Sequence, residues 1–156
     1  MTLEIGKKAP ELGVETDQGK KVKLADFKDK FIVLYFYPKD DTPGCTVEAC
    51  SFRDEYKAIT KLGAVVLGVS PDNVTKHQKF ISKHELPFTL LADIDQKVCK
   101  AYDVWVEKNM YGKKYMGVQR STFIIKNGKI LHVFPKVKPK EHTQEVIETL
   151  KSLKGA

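Results

Sequence analysis

The run FIVLYFY, residues 31–37, constrains the fold more than any other stretch of the chain. It is apolar at every position and rich in β-branched and aromatic side chains. A strand with one wet face would alternate apolar and polar residues. A strand without alternation has both faces covered, as at the centre of a parallel sheet. AVVLGVS (64–70) repeats the pattern, and FTLLA (88–92) and STFIIK (121–126) are weaker versions of it.

Helical spacing fills the intervals. From Thr46 to Leu62 the apolar positions Ala49, Phe52, Tyr56 and Ile59 recur three and four apart. DNVTKHQKFISKHE (72–85) predicts a second helix, with Asp72 or Asn73 as its N-cap. DQKVCKAYDV (95–104) predicts a short one. EHTQEVIETLKSL (141–153) closes the chain, with Val146, Ile147, Leu150 and Leu153 on one face. ELGVETDQGKKVKL reads as a β-hairpin turning at Asp17-Gln18-Gly19, and KNGK (126–129) turns STFII into ILHVF. EKNMYGKKYMG (107–117) reads as a polar, glycine-punctuated excursion. Strands alternating with helices, then a hairpin and a last helix, give an α/β fold with a mainly parallel sheet and an antiparallel edge.

Length and composition narrow the class. A chain of 156 residues is expected to be one domain, residues 1–156, that needs no disulfide or metal to hold a core. No run approaches the ~20 apolar residues that cross a bilayer, and MTLEIGKKAPEL lacks the apolar block of a secretory signal, so a cytoplasmic protein is expected. The net charge of +7 raises the question of nucleic acid, but of 27 basic residues only Arg53 and Arg120 are arginine, and the lysines are scattered. Phosphate-clamping and base-reading surfaces favour the planar fork of arginine, so no nucleic-acid role is expected. The one dense cluster, KVKPK (136–140), reads as a solvated connection. The lack of a long C-terminal arm favours a monomer.

Three cysteines argue against a disulfide scaffold and for thiol chemistry or plain packing. In open α/β sheets the reactive groups gather at the carboxyl ends of strands. The loop PKDDTPGC leaves such an end and leads directly to Cys45. The apolar stripe traced back from Ile59 meets Cys45 in the first turn of its helix. A free thiol is only about 3% thiolate at pH 7, and a helix N-terminus favours the anion. The alternative is a packed, inert cysteine.

The loop adds substance to the first reading. Pro38 and Pro43 stiffen it, and Gly44 lets backbone come close. Thr42 can donate to a thiolate, accept from an incoming hydroxyl, or cap the helix. Cys50 lies five residues on, roughly 8.6 Å from Cys45 between Cα atoms of an intact helix. A disulfide needs about 7 Å or less, so the two could join only if the first turns unwound. Arg53 and Arg120 are the candidate cations for Cys45, and Glu48 could orient a guanidinium. Arg120 stands at a strand entrance and reaches the site only if that strand runs antiparallel to FIVLYFY. Cys99 reads as packing, or as a second resolving thiol.

These residues resemble a peroxiredoxin. The family's P-x-x-x-T-x-x-C pattern is matched by Pro38, Thr42 and Cys45, and its distant arginine by Arg120 in GVQRSTFII. The spacing to Cys50 and the segment VWVEKNMYGKKYMG are similar to the Q-type group, the bacterioferritin comigratory proteins. The resemblance implies a thioredoxin-like fold with an N-terminal β-hairpin extension. It implies reduction of hydrogen peroxide and organic hydroperoxides through a Cys45 sulfenic acid. Cys50 would resolve that acid as an intramolecular disulfide, and thioredoxin or a similar dithiol would recycle it. No cofactor and no metal are expected. Rival readings are a dithiol–disulfide oxidoreductase, which wants C-x-x-C rather than C-x-x-x-x-C, and a non-catalytic holdase or redox sensor on the same fold. A zinc site is disfavoured, because His77, His84, His132 and His142 are scattered and read as surface or packing residues.

Overall fold

In the computed structural model, which describes residues 3–155, FIVLYF forms strand β1 (Phe31–Phe36), buried at all six positions. It lies at the centre of a five-stranded sheet of order β3-β2-β1-β6-β7. Strands β2 (Ala64–Ser70) and β3 (Thr89–Ala92) continue the sheet in parallel on one side. On the other side β6 (Ser121–Lys126) runs antiparallel to β1, and β7 (Lys129–Phe134) antiparallel to β6. The Asn127-Gly128 turn between them has both residues at positive φ, 49° and 81°, as the NG signal predicts.

The period-two geometry of β1 divides the core. Phe31, Val33, Tyr35 and Tyr37 face one cluster, packed with α1 (Pro43–Asp54), α2 (Tyr56–Lys61) and α5 (His142–Lys154). Ile32, Leu34 and Phe36 face the opposite cluster, with Leu12, Val22 and the short helix α4 (Lys97–Ala101). Helix α3 (Val74–His84) is capped by Asn73, whose side chain accepts from the Lys76 N–H at 2.9 Å.

The structure corrects two expectations. The helix expected over 46–62 starts at Pro43 and breaks at Glu55 into α1 and α2. The stretch 107–117 is not an excursion but an antiparallel hairpin, β4 (Trp105–Met110) with β5 (Lys113–Val118), turning on Tyr111 and Gly112 at φ 53° and 82°. Its residues are mostly exposed, which is why no apolar face marks it. The N-terminal hairpin is present but narrow, made of the Glu15–Lys21 bridge and backbone bonds such as Thr16 N–H to Lys20 O at 2.9 Å. A short 3-10 helix (Leu24–Phe27) follows it, unforeseen in the sequence.

Candidate active site

The carboxyl end of β1 opens into residues 37–42, and α1 begins at once. Pro38 stands at the strand exit, where its fixed φ stiffens the departure of the chain. Thr42 occupies the N-cap position in extended backbone, and Pro43 the first helical position, where a missing N–H leaves nothing unpaired. Cys45 lies in the first turn. It is 1% exposed and faces the core cluster that holds Tyr35, Ala49 and Phe52.

The antiparallel direction of β6 supplies the cation. Ser121 pairs with Phe36 at the carboxyl end of β1, so Arg120, one residue earlier, arrives beside the start of α1. Its Nη2 donates to Cys45 Sγ at 3.0 Å, and its Nη1 to Glu48 Oε1 at 3.1 Å. One planar fork thus spans the sulfur and a buried carboxylate one turn along the same helix. Gly44 explains its own identity, because a Cβ there would lie 2.8 Å from Arg120 Nη2. The guanidinium passes directly over the glycine backbone.

Electrostatics around the sulfur are finely opposed. Arg120 and the open N–H groups of the first helical turn favour the thiolate. Burial pushes the Glu48 carboxyl up to about 7, against the pull of Arg120. Glu48 Oε2 and the Tyr35 hydroxyl are both buried without a hydrogen-bond partner. Burial first, then the charges of Glu48 and Cys45, raise the Tyr35 phenol and keep it neutral.

The other sequence candidates sort clearly. Thr42 makes no side-chain cap, and its hydroxyl donates to Lys39 O at 2.9 Å. Its proton is committed there, so the oxygen is available to accept from an incoming hydroxyl rather than to donate to the sulfur. Cys50 is half-buried on the same unbroken helix, and all three cysteines are free thiols. Arg53 does not serve Cys45. Its Nε pairs with Asp54 at 3.0 Å and its Nη1 donates to the His84 carbonyl at 2.8 Å. Cys99 lies in the core cluster on the opposite face of the sheet.

Sequence reasoning missed several neighbours. The unforeseen β4–β5 hairpin brings Lys108 close enough to feel the charges of Arg120 and Cys45, and burial lowers its pKa. KVKPK is not simply solvated. Val137 is buried, and its N–H donates to the Arg120 carbonyl at 3.1 Å. His77 and His142 are fully buried. The signal for His77 was present, since it shares a helical stripe with Phe80 and Ile81. Among the described residues the one grouping with metal-ligand spacing is Asp40, Asp72 and His77. Both ring nitrogens of His77 are already engaged, one by Asp40 and one by Leu91 O, which leaves the group no free imidazole ligand.

Residues 5–133 match the AhpC/TSA family. Peroxiredoxin Bcp of Bacillus subtilis is 54% identical over 154 residues, covering 98% of each chain. Peroxiredoxin Bcp of Escherichia coli is 43% identical, covering 96% of each. Among solved structures, peroxiredoxin Q of Xanthomonas campestris superposes with a TM-score of 0.88 at 37% identity over 98% of both chains. A bacterioferritin comigratory protein of the same organism, described for its alkyl peroxide reduction activity, gives 0.88 at 36% identity over 98% of both.

Proposed function

Since the chain belongs to the AhpC/TSA family, among the peroxiredoxins of the Q or bacterioferritin comigratory type, we propose that Cys45 is its peroxide-reducing sulfur and Cys50 its resolving thiol. The protein is a thiol-dependent peroxidase with a thioredoxin-like fold. The observation that carries the assignment is the 3.0 Å contact of Arg120 Nη2 with Cys45 Sγ.

The Cys45 thiolate attacks the terminal oxygen of a hydroperoxide. An S–O bond forms, the O–O bond breaks, and the departing alkoxide or hydroxide takes a proton to leave as alcohol or water. Arg120 and the first-turn N–H groups stabilise the charge that moves onto the leaving oxygen, and Thr42 accepts from the peroxide O–H. Pro38 holds the loop in the shape this needs. The products are a Cys45 sulfenic acid and the reduced substrate, with hydrogen peroxide and organic hydroperoxides both accepted.

Cys50 then attacks that sulfur. In the intact helix the two Cα atoms stand roughly 8.6 Å apart, beyond disulfide reach, so the first turns of α1 must unwind. The disulfide forms with loss of water, and thioredoxin or a comparable dithiol reduces it while becoming a disulfide itself. No cofactor or metal enters the cycle. We place this cycle in one domain spanning residues 1–156, acting as a cytoplasmic monomer without nucleic-acid or membrane partners. No helix among the described residues is long and apolar enough to cross a membrane.

Rapid mixing with hydrogen peroxide tests the assignment. Cys45→Ser abolishes turnover, whereas Cys50→Ser completes the first oxidation and stalls at the sulfenic acid, detectable by a sulfenic-acid trap. Turnover surviving in the Cys45 variant overturns the mechanism. Unimpaired cycling of Cys50→Ser removes Cys50 as the resolver.

A further inference from the structure

Behind the catalytic loop lies a buried cluster that the chemistry of Cys45 leaves unused. The Asp40 carboxylate accepts from the Tyr37 hydroxyl at 2.5 Å through Oδ1 and faces His77 Nδ1 at 2.6 Å through Oδ2. The other ring nitrogen, Nε2, faces the Leu91 carbonyl of β3 at 2.8 Å. A neutral imidazole has a single N–H, yet here both nitrogens meet acceptors. One proton held between Asp40 Oδ2 and Nδ1, with the ring's other proton on Nε2, satisfies both contacts. The Asp40 backbone N–H donates to Asp72 Oδ2 at 2.7 Å, which also takes the Ser70 hydroxyl at 2.7 Å. The end of β1, the end of β2, helix α3 and strand β3 therefore all hold one loop residue.

The next residue is held too. Asp41 sits in left-handed backbone at φ 61°, and its carboxylate takes Lys83 Nζ at 2.8 Å. Beyond the two cysteines, Arg53 Nη1 reaches the His84 carbonyl at 2.8 Å. Helix α3 thus grips the chain before Cys45 and again after Cys50, and the segment that must unwind lies between the grips.

We propose that the Asp40–His77 pair is a positioning device for Cys45, a fixed abutment against which the first turns of α1 unwind and refold. It holds the start of the loop so that Thr42 and Gly44 present the sulfur to Arg120. It also confines melting to residues beyond Asp41, so that few residues have to be ordered again when the helix refolds. The second half of the proposal rests on the Cys45–Cys50 reading. In that step the Cys50 thiolate attacks the sulfur of the sulfenic acid, the S–S bond forms and the S–O bond breaks. The hydroxide leaves as water with the proton that Cys50 gave up.

The test measures the two steps separately in intact protein, by acid quench and mass spectrometry after mixing with hydrogen peroxide. His77→Gln and Asp40→Asn are expected to slow sulfenic-acid formation about tenfold, the order of loss that a small misplacement of a reacting group brings. Disulfide formation is expected to hold its rate or rise. Amide exchange quickens over residues 42–50 while β1 and β2 keep their protection. The double variant Asp40→Asn/His77→Gln is expected to be no slower than the worse single variant, because the two act as one unit. Sulfenic-acid formation within twofold of wild type in both single variants overturns the proposal. So does a parallel fall of both steps with loss of protection throughout the sheet, which marks general destabilisation. Oxidised wild type that never loses two hydrogens between Cys45 and Cys50 defeats the two-cysteine reading alone, and the effect on the first step still decides the role of the pair.

Discussion

Cys45 and Cys99 are both almost fully buried, 1% and 0% exposed, on opposite faces of the same sheet, yet their surroundings carry opposite charge. Cys45 occupies the first turn of a twelve-residue helix and meets a guanidinium at 3.0 Å. Cys99 sits in a five-residue helix whose first N–H groups are already taken, Val98 and Cys99 donating to the Asp93 carboxylate at 3.0 and 2.8 Å. Burial first, then the negative charge of Asp93, push the Cys99 thiol far above the ordinary range. Burial penalises any thiolate, so under the proposed mechanism it is the sign of the neighbouring charge that would separate the attacking sulfur from a packed one. The contrast argues against Cys99 as an alternative resolving thiol, because burial and Asp93 disfavour its thiolate and it stands across the sheet from Cys45.

Removing the guanidinium should nearly erase the contrast. Arg120→Met is expected to slow the first oxidation by about 10²–10³-fold, the usual cost of losing one donor to developing oxygen charge. Stopped-flow mixing with peroxide reads this directly, and a loss below fivefold would assign the advantage of Cys45 to the helix N-terminus instead.

Displacing the guanidinium without removing it is a smaller cut. In Gly44→Ala the new Cβ would stand 2.8 Å from Arg120 Nη2, so the flexible side chain must swing off the sulfur. The first oxidation should fall about tenfold, while the thermal midpoint stays level or rises, since alanine is favoured over glycine in helices. An unchanged rate would show that Arg120 tolerates a wider approach.

Glu48 sharpens the comparison through pH. Its folded-state carboxyl, pushed up to about 7, lies above the unfolded value of 4.5. The folded protein therefore holds a proton that the unfolded chain releases first. This stabilisation is full below the unfolded value and is lost as pH rises through about 7. The amount is of the order of 3 kcal/mol. Glu48→Gln should flatten that fall, seen as urea midpoints at pH 5 and pH 8 that differ less than those of the wild type. An identical pH dependence would mean that Arg120 compensates the carboxylate more fully than its burial suggests.

The smallest effect belongs to the other face of the sheet. Cys99→Ser should leave peroxide turnover per folded molecule within twofold of wild type, while stability falls by about 1–3 kcal/mol as a hydroxyl replaces a buried thiol. A turnover loss matching that of the Cys50 variant would return Cys99 to the cycle.

Much of this was legible in the chain. The unbroken apolar runs announced β1 and β2, the helical stripes announced α3 and α5, and Asn127-Gly128 announced its turn. Pro38, Thr42 and Cys45 lie within eight residues, so their proximity is local. The β4–β5 hairpin was not legible, because a ribbon wet on both faces lacks the alternation that marks a strand. The break at Glu55 was hidden as well, since neither glycine nor proline stands there and the stripe runs through it. His77 announced only that it lay on an apolar stripe. Its partners, Asp40 and the Leu91 carbonyl, come from distant stretches.

The sequence by itself determined which segments must be buried and placed a thiol at a helix start, since periodicity and capping act between near neighbours. The family resemblance pointed to Arg120, but only the tertiary structure shows which arginine reaches that thiol. Arg53, eight residues away, turns to α3, while Arg120, seventy-five residues away, is delivered by the antiparallel pairing of β6 with β1. Strand direction is a property of the assembled sheet, fixed by long-range hydrogen bonding that no local pattern encodes.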